Sequence, residues 1–142
     1  MKLMDEVLSK DNLNQAYLQV TRNKGTSGVD NMTCEEVKDY LKVHGNDLIN
    51  QIKSREYTPL PVKRVEIPKP NGGVRKLGIP TVIDRIIQQA LVQKMTPIFE
   101  PTFSEFAYGF RPNRRCQNAI DRALELLNQG YEWIIDLDLE KF

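Results

Sequence analysis

An α+β fold is predicted: helices at the N-terminus, one β-hairpin in the middle, packed helices after it, and a strand at the end. Three observations predict it. Apolar residues recur at helical spacing over residues 1–52 and again over 81–130. The period changes to two over residues 62–79, on either side of "PNGG". The closing "YEWIIDLDLEKF", residues 131–142, begins as a buried apolar strand and ends in carboxylates.

The first helices carry Val7, Leu8, Leu13, Ala16, Tyr17 and Val20, with Asp11 as the cap between two segments. "NKGTSGVDNM" breaks the run, and Gly25 and Gly28 make it a loop. Thr33 with Glu36 is a capping box for a helix bearing Val37, Tyr40 and Leu41. A further short helix carries Leu48, Ile49 and Ile52. "YTPLP" then extends the chain, because each proline discourages helix in the residue before it.

In "VKRVEIPKPNGGVRKLGIP", Val65 and Ile67 alternate with polar residues before the turn, and Leu77 and Ile79 after it. A two-residue loop, Asn71-Gly72, would send Lys69 and Arg75 to opposite faces. A three-residue loop, Asn71-Gly72-Gly73, sets Lys69 opposite Arg75, Ile67 opposite Leu77 and Val65 opposite Ile79. The second gathers the apolar residues on one face and is preferred. Two cations side by side repel, and a bound phosphate would compensate them. The alternative is that they keep an edge strand soluble.

Thr81 and Asp84 form another capping box, opening a helix that buries Ile83, Ile87, Ala90, Leu91 and Met95. "TPIFEPTF" reads as a proline-broken connection. In "YGFRPNRRC", Gly109 and Pro112 fix a bend beside Arg111, Arg114 and Arg115. A last helix turns Ala119, Ile120, Ala123, Leu124 and Leu127 inward and stops at Gly130. The strand through Trp133, Ile134 and Ile135 then delivers Asp136 and Asp138, a pair suited to metal or proton chemistry.

Composition narrows the function classes. The hydrophobic fraction of 40% and charged fraction of 27% are those of a soluble globular chain. No apolar run approaches the roughly 18 residues of a membrane span. "MKLMDEVLSKDNL" has acids where a signal peptide is apolar, so a cytoplasmic location is expected. Cys34 and Cys116 are far apart and read as free thiols, and His44 is the single histidine, which disfavours a zinc cluster or a histidine-based triad. The net charge of +1 is uneven. Residues 53–85 carry eight basic side chains against three acidic ones, while each flank has two more acids than bases. That block suggests a polyanion site on one face, or else a solvated basic surface.

Four blocks in order, "NKGTSGVD", "RVEIPKPNGGVRKLGIPTVIDRIIQQAL", "YGFRPNRR" and "WIIDLDLEKF", resemble the N-terminal part of a group II intron-encoded reverse transcriptase, or maturase. The resemblance covers roughly Asp11 to Phe142. It implies residues 1–32 as an N-terminal helical extension with its loop, 33–130 as the fingers region around hairpin 62–79, and 131–142 as the truncated first palm strand of a right-hand polymerase.

The resemblance also implies roles. Lys69 and Arg75 match the cations that hold the triphosphate of the incoming dNTP. Asp138 matches the first catalytic aspartate, with Leu139 offering its backbone carbonyl to the same Mg²⁺. Alternation puts Asp136 on the side of Asp138, and the motif favours Asp138 as the ligand. RNA template contacts fall to Lys24, Gly25, Lys63, Arg64, Arg85, Arg111, Arg114 and Arg115. Two Mg²⁺ ions need more than one aspartate, and no Tyr-Ala-Asp-Asp-like block occurs in these residues. The fragment is therefore expected to be inactive alone, with intron RNA, a DNA primer, dNTP and the rest of the polymerase or a second copy as partners. The competing readings are a non-catalytic RNA-binding module and a split-polymerase subunit.

Overall fold

The computed structural model describes residues 2–139. The chain divides into two compact units, Met1–Ile98 and Phe99–Phe142.

The first unit holds α1 (Lys2–Val7), α2 (Lys10–Arg22), α3 (Val37–Ser54), the strands β1 (Lys63–Pro68) and β2 (Val74–Ile79), and all of α4 (Val82–Phe99) except its last residue. Its core gathers Val7, Leu8, Ala16 and Val20 with Val37, and with Val82, Ile83, Ile86 and Ala90 from α4. Asn12 is buried among them. Its amide donates to the Val7 and Ala90 carbonyls at 2.8 and 3.0 Å, and its side-chain oxygen accepts from Gln93 at 2.8 Å. A buried amide satisfied on both sides ties α2 to α4 in one register.

Several elements differ from their sequence reading. The break between α1 and α2 falls at Leu8–Ser9, and Asp11 lies in the first turn of α2, where an acid complements the helix dipole. Residues 37–54 form one helix, with Gly45 inside it. Glycine costs about 1 kcal/mol there, which the packing of Val37, Leu41, Leu48 and Ile49 outweighs. Helix α4 continues through Pro97 to Phe99, although a proline there has no N–H for the helix ladder. Met95 is exposed, whereas Val82 and Ile86 are buried. The Thr33 box forms in full, whereas at α4 the Asp84 carboxylate takes the Thr81 hydroxyl in place of its N–H. Glu36 accepts from the Thr33 N–H and hydroxyl at 2.9 and 2.8 Å, and Thr81 Oγ1 accepts from the Asp84 N–H at 3.1 Å.

The second unit contains a 3₁₀ turn (Glu100–Thr102), the arginine bend and α5 (Cys116–Asn128). Helix α5 ends as expected. Gly130, at φ +92°, lets its own N–H reach Leu127 O at 3.0 Å and the Tyr131 N–H reach Leu126 O at 3.2 Å. None of its side chains is buried, so Ile120, Leu124 and Leu127 do not form the inward face that was predicted. The predicted strand through Trp133, Ile134 and Ile135 does not form among the described residues. Trp133 is 95% exposed and Ile134 80%. A strand needs a neighbour for its N–H and C=O groups, and the described residues hold one ladder, β1 with β2. Of the final segment, Glu140, Lys141 and Phe142 lie outside the described residues.

Candidate functional site

The hairpin sets Ile67 opposite Arg75, Val65 opposite Leu77 and Lys63 opposite Ile79. The pairing of Lys69 with Arg75 is thereby corrected. The loop is Pro70-Asn71-Gly72, with the Gly72 N–H donating to Lys69 O and the Lys69 N–H to Gly73 O, both at 3.1 Å. Pro70 presets φ for the first central position of a type I turn. Gly72, at φ +82°, takes the left-handed position that follows. The pairing moves by two residues, so the faces are preserved. By alternation Lys69 and Arg75 share the face of Val65, Ile67 and Leu77, as diagonal neighbours rather than directly opposed charges. On the other face Glu66 stands opposite Lys76. The tip is exposed, and Lys69 and Arg75 have no ion pair among the described residues.

The chain at Tyr57, six residues before β1, and Thr81, just after β2, meet in the first turn of α4. The Tyr57 hydroxyl donates to Asp84 Oδ1 at 2.5 Å, and the Thr81 hydroxyl donates to Asp84 Oδ2 at 2.6 Å. Burial, then the bond to Asp84 and its charge, raise the Tyr57 pKa well above the ordinary tyrosine value. Sequence reasoning took Asp84 as a cap and missed Tyr57, which meets it from 27 residues away.

The loop around Gly25 and Gly28 packs on the same turn. A Cβ on Gly28 would lie 2.7 Å from Thr81 Cα, and one on Gly25 would collide with the Arg85 guanidinium. Arg85 donates to Thr26 O at 2.6 Å, a clasp between α4 and the loop. Lys24 is exposed beside it, in the left-handed region at φ +46°. Lys63 is half-buried and Arg64 exposed on β1.

The arginine bend divides likewise. Arg111 donates from Nε and Nη2 to Glu100 Oε1 at 3.0 and 2.8 Å, from Nη1 to Ser104 O and Ala107 O at 2.6 and 3.0 Å, and from Nη2 to Glu100 O at 3.3 Å. Its side chain is 9% exposed. Arg111 therefore closes the bend internally, with its donors engaged within the protein. Arg114 donates to Glu105 O and lies over the Tyr108 ring, 5.4 Å from its centroid. Arg115 is exposed, and its N–H donates to Asn118 Oδ1 at 2.9 Å.

Asp136 and Asp138 are exposed on the unpaired segment, and Asp138 Oδ1 accepts from the Leu139 N–H at 2.9 Å. Among the described residues no cluster of three or more histidine, cysteine or acidic groups exists that could hold a metal ion. Asp138, bonded to the N–H of the next residue, is one carboxylate, and Mg²⁺ takes near-octahedral oxygen ligation. No described helix is long and apolar enough to cross a membrane.

Comparisons with known proteins identify the family. The family model "Reverse transcriptase (RNA-dependent DNA polymerase)" matches residues 67–142, from the hairpin to the last aspartate segment. Protein YkfC of Escherichia coli is 40% identical over 121 residues, covering 82% of this chain and 32% of that protein. The group II intron-encoded protein LtrA of Lactococcus lactis is 33% identical over 133 residues, covering 88% of this chain and 21% of LtrA. A solved partial Cas6-RT-Cas1–Cas2 complex superposes at a TM-score of 0.53 and 19% identity, covering 96% of this chain and 22% of that chain, which shows a shared fold. The chain belongs to the reverse transcriptase family. Its relatives support the branch that the four sequence blocks resemble, that of the group II intron reverse transcriptases and maturases. It spans about a third or less of the length of these curated relatives.

Proposed function

We propose that this chain is the fingers portion of an RNA-directed DNA polymerase, binding RNA template and the triphosphate of an incoming dNTP. The observation that carries this reading is the hairpin tip, where Lys69 and Arg75 share one face and have no ion pair among the described residues. Two cations so placed can neutralise a polyphosphate and fix its orientation. Lys24, Lys63, Arg64, Arg114 and Arg115 would meet template phosphates, with Gly25 allowing close backbone approach. Asp138 and the Leu139 carbonyl would join a Mg²⁺ site only with carboxylates supplied from outside residues 2–139. Intron RNA, a DNA primer and the remaining polymerase segments, or a second copy, are the partners that follow.

A second reading, an RNA-binding module without catalysis of its own, is favoured by the basic block of residues 53–85. Primer extension separates the two, measured for this chain alone and with a partner chain carrying further palm residues. No synthesis alone and synthesis in the mixture is the expected result. RNA binding without synthesis in either case supports the module. Processive extension by the rigorously purified chain alone would overturn the account of its carboxylates.

A further inference from the structure

Two separate segments converge on the first turn of α4, the chain at Tyr57 and the loop of residues 23–30. Asp84 is buried and takes one hydrogen bond from Tyr57, before the hairpin, and one from Thr81, just after it. A single carboxylate thus grips the chain on both sides of β1 and β2. The loop of residues 23–30 is fastened to the same turn from another side, by Gly28 against the Thr81 backbone and by Arg85 bonded to Thr26 O. Arg85 Nε also points at Thr81 O, at 3.5 Å. The hairpin itself has little else to hold its direction. Val62 packs across Gly78 at its base, but Ile67, Val74 and Leu77 are exposed.

We propose that the turn Thr81–Arg85 is a positioning node. Tyr57 and Asp84 set the direction in which the hairpin presents Lys69 and Arg75, and Gly28 with Arg85 makes that direction depend on the seating of the 23–30 loop. The physical reason is sharing. Thr81 supplies a hydroxyl to Asp84, a backbone surface to Gly28 and a carbonyl to Arg85, so displacing the loop disturbs the residue that closes the hairpin. A bond to a buried carboxylate is stronger than a neutral one and restricts both partners. The consequence for nucleotide use rests on the proposed function, whereas the mechanical coupling does not.

Residual dipolar couplings of the chain test the coupling directly. In the native protein, amides of the hairpin and of α4 fit a single alignment tensor. Tyr57→Phe lowers the hairpin couplings relative to those of α4, while Tyr40→Phe, the same deletion on α3, changes nothing. Gly28→Ala and Arg85→Gln also lower the hairpin couplings, although neither residue touches the hairpin. Should Gly28→Ala fail to fold, Arg85→Gln decides. Hairpin couplings unchanged by Tyr57→Phe overturn the grip, and couplings unchanged by the loop variants overturn the coupling. In an extension-competent chain, Tyr57→Phe raises the KM for dNTP about tenfold, the factor a hydrogen bond to a charged group represents. Template–primer affinity stays unchanged. Lowered couplings with an unchanged KM leave the node in place and remove the nucleotide from the hairpin tip.

Discussion

Arg111→Ala distinguishes a residue that closes the arginine bend from one that contacts RNA. The Arg111 guanidinium makes five hydrogen bonds, two to the Glu100 carboxylate and three to the carbonyls of Glu100, Ser104 and Ala107. Removing one partner of a buried ion pair costs about 3–5 kcal/mol, because the other charge is left without compensation. Glu100 keeps 29% of its side chain exposed, so water can recover part of that loss. A destabilisation of about 2–3 kcal/mol is expected. The variant should lose amide dispersion over residues 100–115 in two-dimensional NMR, with signals of Met1–Ile98 unchanged. Arg111→Lys should not rescue it, since one ammonium cannot replace a planar fork of donors. A variant that stays folded and equally stable, yet binds RNA more weakly with a smaller salt slope, would refute the argument.

Three other outcomes follow. Charge reversal at both Arg114 and Arg115 should weaken binding to all RNAs and reduce its salt dependence, measured by titration at several ionic strengths; unchanged binding would leave them as a structural corner. Tyr57 keeps its proton in the folded state above the pH where the unfolded chain loses it, so its contribution is complete below about pH 10 and is lost as pH rises further. Denaturation between pH 9 and 11 should therefore show a steeper loss for the native protein than for Tyr57→Phe, and parallel curves would contradict the Asp84 bond. Gly45 lies in the middle of α3 with nothing within 4 Å of an added Cβ, so Gly45→Ala should raise stability by about 1 kcal/mol in urea melts; a loss would indicate a contact that the glycine preserves.

The features legible in the sequence are those made by neighbours along the chain. Thr33 with Glu36 and Gly130 after α5 appear as read, and Thr81 caps the Asp84 N–H with its hydroxyl, all within a few residues. The hairpin's faces were legible because period two survives a shift of two residues. Its register was not, because Pro70 claims the first turn position and displaces the Gly-Gly loop. Propensity misplaced the helix breaks at Gly45, where packing outweighs the cost, and at Pro97, which α4 runs through. The internal bonds of the arginines were not legible for a different reason. A cation reads the same whether its partner is a phosphate or a carbonyl, and Arg85 finds Thr26 from 59 residues away. Residues 131–139 have strand composition, but a strand is a property of two segments and one cannot declare it alone.

The most direct test of the central claim is single-nucleotide incorporation against dNTP concentration, in an extension-competent chain carrying Arg75→Ala, Lys69→Ala or both. The account predicts a raised KM for dNTP and slowed incorporation for each single variant, with template–primer affinity near normal. The double variant should be less than additive, because both side chains would hold the same phosphates. Kinetically silent substitutions, with the hairpin slightly stabilised by the loss of repulsion, would contradict it.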